Sequence, residues 1–147
     1  MPAAFTIRVL AWSEALPLAR PVREQVFVEE QKVPRELELD EWDERCEHAV
    51  ACDFRGGAIG TARLLPDGRI GRMAVLGEWR RRGVGSALLE ALLERARKRS
   101  IRRITLHAQT HAAGFYRRFG FNERGEEFSE AEIPHVEMTL ELFPARE

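Results

Sequence analysis

The residues with the clearest chemical potential lie in one turn, Arg80–Ser86, which combines three arginines with two glycines. Gly83 and Gly85 let the backbone approach a ligand closely, because glycine has no Cβ. The first N–H groups of a helix lack partners within the helix, and the helix dipole favours anions there. Arginine adds forked donors that suit phosphate oxygens. The turn therefore predicts a pyrophosphate cradle, and the alternative is a solvated basic turn that only caps a helix.

Two common phosphate-binding motifs do not fit this turn. A P-loop would need a lysine and then a serine or threonine after its second glycine, whereas Ser86 and Ala87 follow Gly85. The dinucleotide fingerprint would need a third glycine where Leu88 stands. The missing lysine argues against a nucleotide-binding switch.

A strand and a helix must hold the turn in place. Arg69–Leu76 is typical of a strand, and apolar residues recur after the turn at helical spacing. This recurrence predicts a helix from Ala87 to Lys98 with one buried face. A second strand is predicted at Arg103–Gln109. Because a long helix links the two strands, they are predicted to be parallel.

Other strands complete the sheet, and tight turns link His48–Asp53, Ala58–Leu65 and the strand that begins at Arg69, which predicts antiparallel pairing among those three. Period-two alternation and β-forming residues indicate four of these strands: Phe5–Ala11, His48–Asp53, Ala58–Leu65 and Val136–Leu142. A further short strand is predicted to begin at Phe121.

Two helical segments have less regular patterns. Ser13 is a good N-cap for a first helix, but Pro17 and Pro21 are expected to interrupt it, so that the clearer segment begins at Pro21. His111–Phe119 predicts a short helix that Gly120 ends. The whole pattern favours one α/β domain spanning residues 1–147.

Composition and charge narrow the function classes. The chain has 147 residues, of which 44% are hydrophobic and 32% charged, as in a globular protein. Its net charge of −1 gives no overall basic field that would favour nucleic acid or an anionic membrane. No apolar run long enough for a membrane span and no signal-peptide pattern stand out, so a cytoplasmic location is expected. Cys46 and Cys52, with His48 between them, match no common zinc spacing, so free thiols and no metal site are expected.

The turn and three further motifs resemble one protein family. Arg80–Ser86 resembles the acyl-CoA-binding turn of the GNAT superfamily, the Gcn5-related N-acetyltransferases, whose pattern is Gln/Arg-x-x-Gly-x-Gly/Ala after the fourth strand. Ala113–Phe121 resembles the second GNAT motif, in which a helix carries a tyrosine before Gly-Phe. Val26–Gln31 and Ile133–Met138 resemble the ElaA/YjcF-like branch. The similarity covers most of the chain and keeps the motifs in order.

The resemblance implies a fold and a co-substrate. The fold would be a mixed, mostly antiparallel twisted sheet of about six to seven strands, with helices on both faces and a central parallel pair around an acyl-CoA cleft. The co-substrate would be acetyl-CoA, held by the strand before the turn, by the turn itself and by the second motif. The residues expected to bind it are Met73, Val75, Arg80, Arg81, Arg82, Gly83, Val84, Gly85, Ser86, Gln109 and Phe115.

Acetyl transfer to an amine needs a proton acceptor for the amine and a proton donor for the departing thiolate. Tyr116, the one tyrosine of the chain, stands where the family places its general acid; the alternative is a core aromatic. His135 is the preferred base, because its loop resembles the branch's own pattern near the acceptor site. His107 and His48 are the other candidates, any of the three can instead be structural, and a water chain can replace a single base.

Two functions remain open at this point. The first is an N-acetyltransferase acting on a primary amine of a small molecule or peptide. The second is a non-catalytic acyl-CoA-binding module that senses the cofactor for a partner protein, and a homodimer is also left open. The acidic stretch Arg35–Glu47 is interpreted as a solvated loop or frayed helix; the alternative is a rim that attracts a cationic acceptor.

Overall fold

A seven-stranded sheet organises the computed structural model, which describes residues 4–143. Its strands β1 to β7 are Phe5–Leu10, Glu47–Asp53, Ala58–Leu64, Arg69–Val75, Arg103–Gln109, Asn122–Glu130 and Ile133–Glu141. They lie in the order β1-β2-β3-β4-β5-β7-β6, and β4 and β5 form the one parallel pair. The predicted mixed, mostly antiparallel sheet with a central parallel pair is confirmed.

Helices cover both faces of this sheet. The α-helices α1 to α4 are Trp12–Arg23, Arg35–Glu38, Val84–Lys98 and Ala113–Arg117, and a π-helix, Glu24–Glu30, continues α1. Short 3₁₀ segments lie at Glu41–Arg45, Gly77–Trp79 and Thr110–Ala112. Side chains on β2 alternate between the two faces: Ala49 and Ala51 pack in the core with α3, whereas Val50 packs with Ala15 of α1. In residues 4–143, no helix is both long and apolar enough to cross a membrane.

The first helix differs from its prediction. It begins at Trp12, so Ser13 is not the N-cap, and it continues through both Pro17 and Pro21 to Arg23. A proline removes one helical hydrogen bond and crowds the preceding turn. Buried apolar residues compensate, because Ala15, Ala19 and Val22 recur at helical spacing and are no more than 1% exposed. Tertiary packing therefore outweighs local propensity here.

The parallel strands β4 and β5 stay together over only a short distance. Their register comprises two pairs, Arg69 with Thr105 and Ile70 with Leu106, and then the strands part. On its other side β4 carries an irregularity in its pairing with β3, and Arg72 has a positive φ of 49°. A bulge of this kind bends a strand and re-aims it. Residues 71–75 of β4 and residues 107–109 of β5 are no longer paired with each other, and we refer to the unpaired stretch between them as the cleft.

The acidic stretch is not a solvated loop or a frayed helix, so that prediction is wrong. It forms α2 and the 3₁₀ segment Glu41–Arg45, and it buries Glu38 at 4% and Asp43 at 1% exposure. Buried carboxylates need charged partners, and the sequence pattern did not show where these would come from. The alternative of an acidic rim stays a prediction for the exposed members Glu36, Glu41 and Glu44.

The partners are arginines from three other elements. Arg23 of α1 binds Glu38 at 3.0 Å and Asp43 at 2.8 Å, and Arg63 of β3 binds Asp43 at 2.8 Å and Asp40 at 2.7 Å. A third arginine on β4 binds Glu38 and Asp40 as well. We refer to the six side chains as the charge network, and its members are Arg23, Arg63, Arg72, Glu38, Asp40 and Asp43. It fastens the segment between α1 and β2 to the sheet.

Candidate active site

The predicted cradle has free donors. Gly83 adopts the left-handed conformation, with φ 83°, and the first helical bond of α3 runs from the N–H of Ala87 to the carbonyl of Gly83 at 3.0 Å. The N–H groups of Val84, Gly85 and Ser86 have no partner among the hydrogen bonds of residues 4–143. Three unpaired donors at a helix N-terminus form an anion site.

The space around the cradle also fits a phosphate ligand. A Cβ placed on Gly83 would meet no atom within 4 Å, so this side of the turn is open. A Cβ on Gly85 would lie 3.6 Å from the ring of Phe115. Phe115 therefore packs beneath the start of α3 and holds it against α4. Free N–H groups, an open approach and neighbouring guanidinium groups together fit a pyrophosphate.

The arginines of the turn are arranged differently from one another. Arg80 is held by other parts of the chain, donating from Nε to the carbonyl of Val75 at 3.0 Å and from Nη2 to both carboxylate oxygens of Glu30 at 2.9 Å. Arg82 lies over the ring of Trp79, with its guanidinium carbon 5.0 Å from the ring centroid. Arg80 thus links the cradle to the end of the π-helix, a contact across 50 residues that sequence reasoning missed.

Tyr116 reaches the strand that was expected to hold the acyl arm. From α4 its hydroxyl donates to Met73 Sδ at 3.6 Å, inside the part of β4 that has separated from β5. Its ring packs edge-on against Phe115 and Phe121, with centroids 5.0 and 5.9 Å away. Burial raises the pKa of Tyr116 to about 12. The structure therefore brings Tyr116, Met73 and the open edge of β4 together.

His135 does not lie in a loop before the last strand, as the sequence predicted. It belongs to β7, where it pairs in register with Gln109 of β5 and Phe128 of β6. Strand β7 begins at Ile133, earlier than its apolar alternation suggests, because a tight turn after Glu130 pairs Glu130 with Ile133. His135 is 7% exposed, and its Nδ1 lies 2.7 Å from the carbonyl of Ile133.

Helix α1 does not extend over the whole sheet face beside the cleft. Ile104, Leu106 and Ala108 of β5 point into the core, so His107 and Gln109 point to the opposite face. On this side α1 packs against β2, β3 and β4 but not along β5, β7 and β6. We refer to the surface of β5, β7 and β6 that α1 does not cover as the open face, and its central residues are His107, Gln109, Phe128, Glu130, His135 and Glu137.

The predicted binding residue Gln109 joins two parts of the site. Its amide nitrogen donates to the side-chain oxygen of Gln31 at 3.0 Å, and its own oxygen lies 2.8 Å from Nε2 of His111. Gln31 is the residue that directly follows the π-helix. This contact ties that segment to the C-terminal end of β5, at the side of the cleft opposite Met73.

His48, the third candidate base, lies elsewhere. It is 1% exposed on β2, its Nε2 is 2.8 Å from the carbonyl of Asp43, and its ring packs on Trp12. Burial lowers the pKa of His48, because the charged form would lose its hydration. Two strands separate β2 from the cleft edge of β5, so His48 supports the charge network and not the site.

Comparison with known proteins identifies the family. The family model described as "Acetyltransferase (GNAT) domain" matches residues 15–142. The chain is 40% identical over 129 residues to the uncharacterized N-acetyltransferase YjcF of Bacillus subtilis, a match covering 85% of this chain and 91% of YjcF. Among solved structures, Escherichia coli ElaA superposes with a TM-score of 0.83 at 29% identity, covering 92% of this chain and 99% of ElaA. An acyl-CoA N-acyltransferase from Pseudomonas aeruginosa superposes with a TM-score of 0.82 at 29% identity, and the match covers 92% of this chain and 98% of that protein. The chain belongs to the GNAT family of acetyltransferases.

Proposed function

We propose that this protein is an acetyl-CoA-dependent N-acetyltransferase that transfers an acetyl group to a primary amine of a small molecule or peptide. The observation that supports this most directly is the cleft between β4 and β5, which opens beside the three unpaired N–H groups of the cradle. The cradle suits the pyrophosphate. The separated edge of β4, residues 71–75, offers backbone groups to the amides of the pantetheine arm.

The side chains around the cleft suit direct transfer. Tyr116 keeps its proton at neutral pH, because its pKa is raised to about 12, and it can give that proton to the departing thiolate. A backbone N–H between Met73 and Val75 can stabilise the oxyanion of the attacked thioester. A histidine of the open face would accept the proton of the amine, and His135 stays the sequence-based prediction for this role.

Thiol release tests the proposal. The protein is incubated with acetyl-CoA and a panel of primary amines and amino-terminal peptides, free thiol is followed over time, and the acetylated amine is identified by mass spectrometry. At least one amine should accelerate thiol release well above the rate of hydrolysis. Tight acetyl-CoA binding without transfer to any amine would contradict the enzyme assignment and favour the acyl-CoA-binding module.

The remaining expectations from the sequence stay predictions. These are acetyl-CoA rather than a longer acyl donor, a single domain, a cytoplasmic location and the question of a homodimer. Competition between acetyl-CoA and longer acyl-CoAs in the same assay distinguishes the donors, and light scattering during size-exclusion chromatography measures the oligomeric state.

A further inference from the structure

On the open face, one carboxylate lies between two histidines. Glu130 Oε1 is 2.9 Å from His107 Nδ1, and Glu130 Oε2 is 3.8 Å from His135 Nε2. The ring of Phe128 packs against both imidazoles, with centroids 5.0 Å from His107 and 6.0 Å from His135. These side chains come from three neighbouring strands, β5, β6 and β7, so the sheet itself sets their spacing.

The two histidines present different atoms to a ligand. In His135, Nδ1 lies 2.7 Å from the carbonyl of Ile133, Nε2 lies 3.8 Å from Glu130, beyond hydrogen-bond distance, and the side chain is only 9% exposed, so little of the ring can reach a ligand. The side chain of His107 is 40% exposed. Its Nδ1 faces Glu130, and its Nε2 has no partner among the hydrogen bonds of residues 4–143. An imidazole that donates from Nδ1 to a carboxylate keeps a lone pair on Nε2.

His107 also lies at the point of β5 where the cleft opens. It directly follows Leu106, which is the last residue of β5 to pair with β4 before the cleft opens. Two residues further along, Gln109 lies on the same face and contacts Gln31. An amine that approaches the cleft from the open face therefore passes the free nitrogen of His107, whereas His135 is one strand further away.

We propose that His107 is the catalytic base of this chain and that Glu130 is the residue that positions it. Glu130 would fix the tautomer and orientation of the imidazole, as carboxylates do for catalytic histidines elsewhere. His135, the base preferred from the sequence, has a nearly buried side chain and lies one strand further from the cleft. The assignment rests on the proposed acetyl transfer.

With these roles, the bonds and proton transfers of the acetyl-transfer reaction balance. The lone pair of a neutral amine forms the new C–N bond with the thioester carbon, and Nε2 of His107 takes the amine's proton. The C–S bond breaks, and the thiolate takes the proton of Tyr116. Solvent carries the extra proton from the imidazolium of His107 back to the tyrosinate, so the products are one amide and one free thiol.

The test compares three variants of similar size: His107→Gln, Glu130→Gln and His135→Gln. Each is assayed with the most reactive amine of the panel in single-turnover mode and in kcat/KM across pH 5 to 9. We expect His107→Gln to lose roughly 10²- to 10⁴-fold in single-turnover rate and to lose the acid limb of the profile, with acetyl-CoA affinity unchanged. Added imidazole should restore part of that rate, because the site is exposed.

The pH dependence of kcat/KM in Glu130→Gln distinguishes a positioning role of Glu130 from a purely structural one, because a structural role would leave that dependence unchanged. The charged and titratable groups facing His107 are Glu130 from β6 and His135 and Glu137 from β7. Removing the negative charge of Glu130 makes the imidazolium less stable, so the acid limb should shift to lower pH. His135→Gln should keep the acid limb and most of the rate.

Two results distinguish a wrong assignment of the base from a wrong assignment of the enzyme. If wild type transfers acetyl but His107→Gln keeps its rate, or if His135→Gln alone loses the acid limb, the assignment of the base is overturned while the enzyme assignment stands. If wild type transfers acetyl to no amine, both are overturned. Nitrogen-15 NMR of the imidazoles adds a test without turnover: the neutral form of His107 should be the Nδ1–H tautomer, and an Nε2–H tautomer would overturn the positioning role of Glu130.

Discussion

Tyr116 is the residue whose chemical role can be tested most sharply. Replacing it by phenylalanine keeps the ring packing against Phe115 and Phe121 and removes one long contact to Met73. We expect a loss of roughly 10²- to 10⁴-fold in the single-turnover rate, because a positioned general acid contributes about that much. Acetyl-CoA affinity and the melting temperature should change little. A phenylalanine variant with the wild-type single-turnover rate would make Tyr116 a core aromatic.

A second prediction for single residues concerns the cradle. Gly85→Val puts a branched side chain against the ring of Phe115, 3.6 Å from the Cβ position, so the start of α3 with its free N–H groups should shift and acetyl-CoA affinity should fall tenfold or more, about 1.4 kcal/mol or larger. Gly83→Val should do the same and also strain the backbone, because φ there is 83°. Glu90→Val, on the exposed side of the same helix, is the matched control. Calorimetric titration measures all three, and wild-type affinity in both glycine variants would remove the cradle from the site.

Sequence reasoning located these residues because each belongs to a short contiguous motif. The partners of the same residues could not be predicted in this way. Arg80 contacts Glu30 across 50 positions, and Glu130 contacts His107 across 23. Contacts of this kind depend on strand order and register, which the residue pattern of one strand does not contain.

At the scale of elements, the charge network should make the free energy of unfolding depend on pH in the acidic range. Burial alone would raise the pKa of Asp43, but hydrogen bonds and charge from Arg23 and then Arg63 outweigh it, so the pKa is lowered. A carboxylate with a lowered pKa in the folded state stabilises that state above its unfolded pKa and loses this contribution as pH falls. The free energy of unfolding should therefore decrease as pH falls below about 4.

Asp43→Asn tests this account. The variant should be less stable at neutral pH, because it leaves Arg23 and Arg63 with fewer charge partners, and its stability should vary less with acid. Urea denaturation at several pH values between 3 and 7 measures both effects, with the exposed Asp67→Asn as control. An unchanged acid dependence in Asp43→Asn would contradict the role of the network.

Substitutions in the turn between β6 and β7 should stabilise the fold. Ala131 and Glu132 both have positive φ, 51° and 63°, as the central residues of a type I′ hairpin turn do. Asparagine and glycine tolerate this conformation better, so the double change Ala131→Asn with Glu132→Gly should stabilise the fold by about 1 to 2 kcal/mol. Thermal unfolding measures it. A lower melting temperature would show that the turn has another geometry.

The elements that were predicted well have local patterns. Helix α3 and the strands β2 to β5 follow from helical or period-two spacing, bounded by glycine-rich turns. Helix α1 was misjudged because Pro17 and Pro21 are local signals, whereas the burial of Ala19 and Val22 that overrides them is tertiary. The acidic stretch was misjudged for the same reason, since its partners lie on α1, β3 and β4.

At the scale of the whole molecule, the sheet consists of two parts that meet at β4 and β5 through two residue pairs. If acetyl-CoA binds in the cleft, the backbone groups of residues 71–75 and 107–109 that face it should become protected. Hydrogen exchange with and without acetyl-CoA should show slower exchange in those segments and no change in β1 and β2. Equal exchange in both states would contradict binding between the strands.

The same divergence has a consequence for the lifetime of the protein. If the pantetheine arm binds along the open edge of β4, its amides would replace the missing strand partners, and the bound protein would have a more continuous sheet than the free one. Ligands that bind only the folded state raise its stability with the logarithm of their concentration. The half-life of the protein in the presence of a protease should then lengthen as the concentration of acyl-CoA rises.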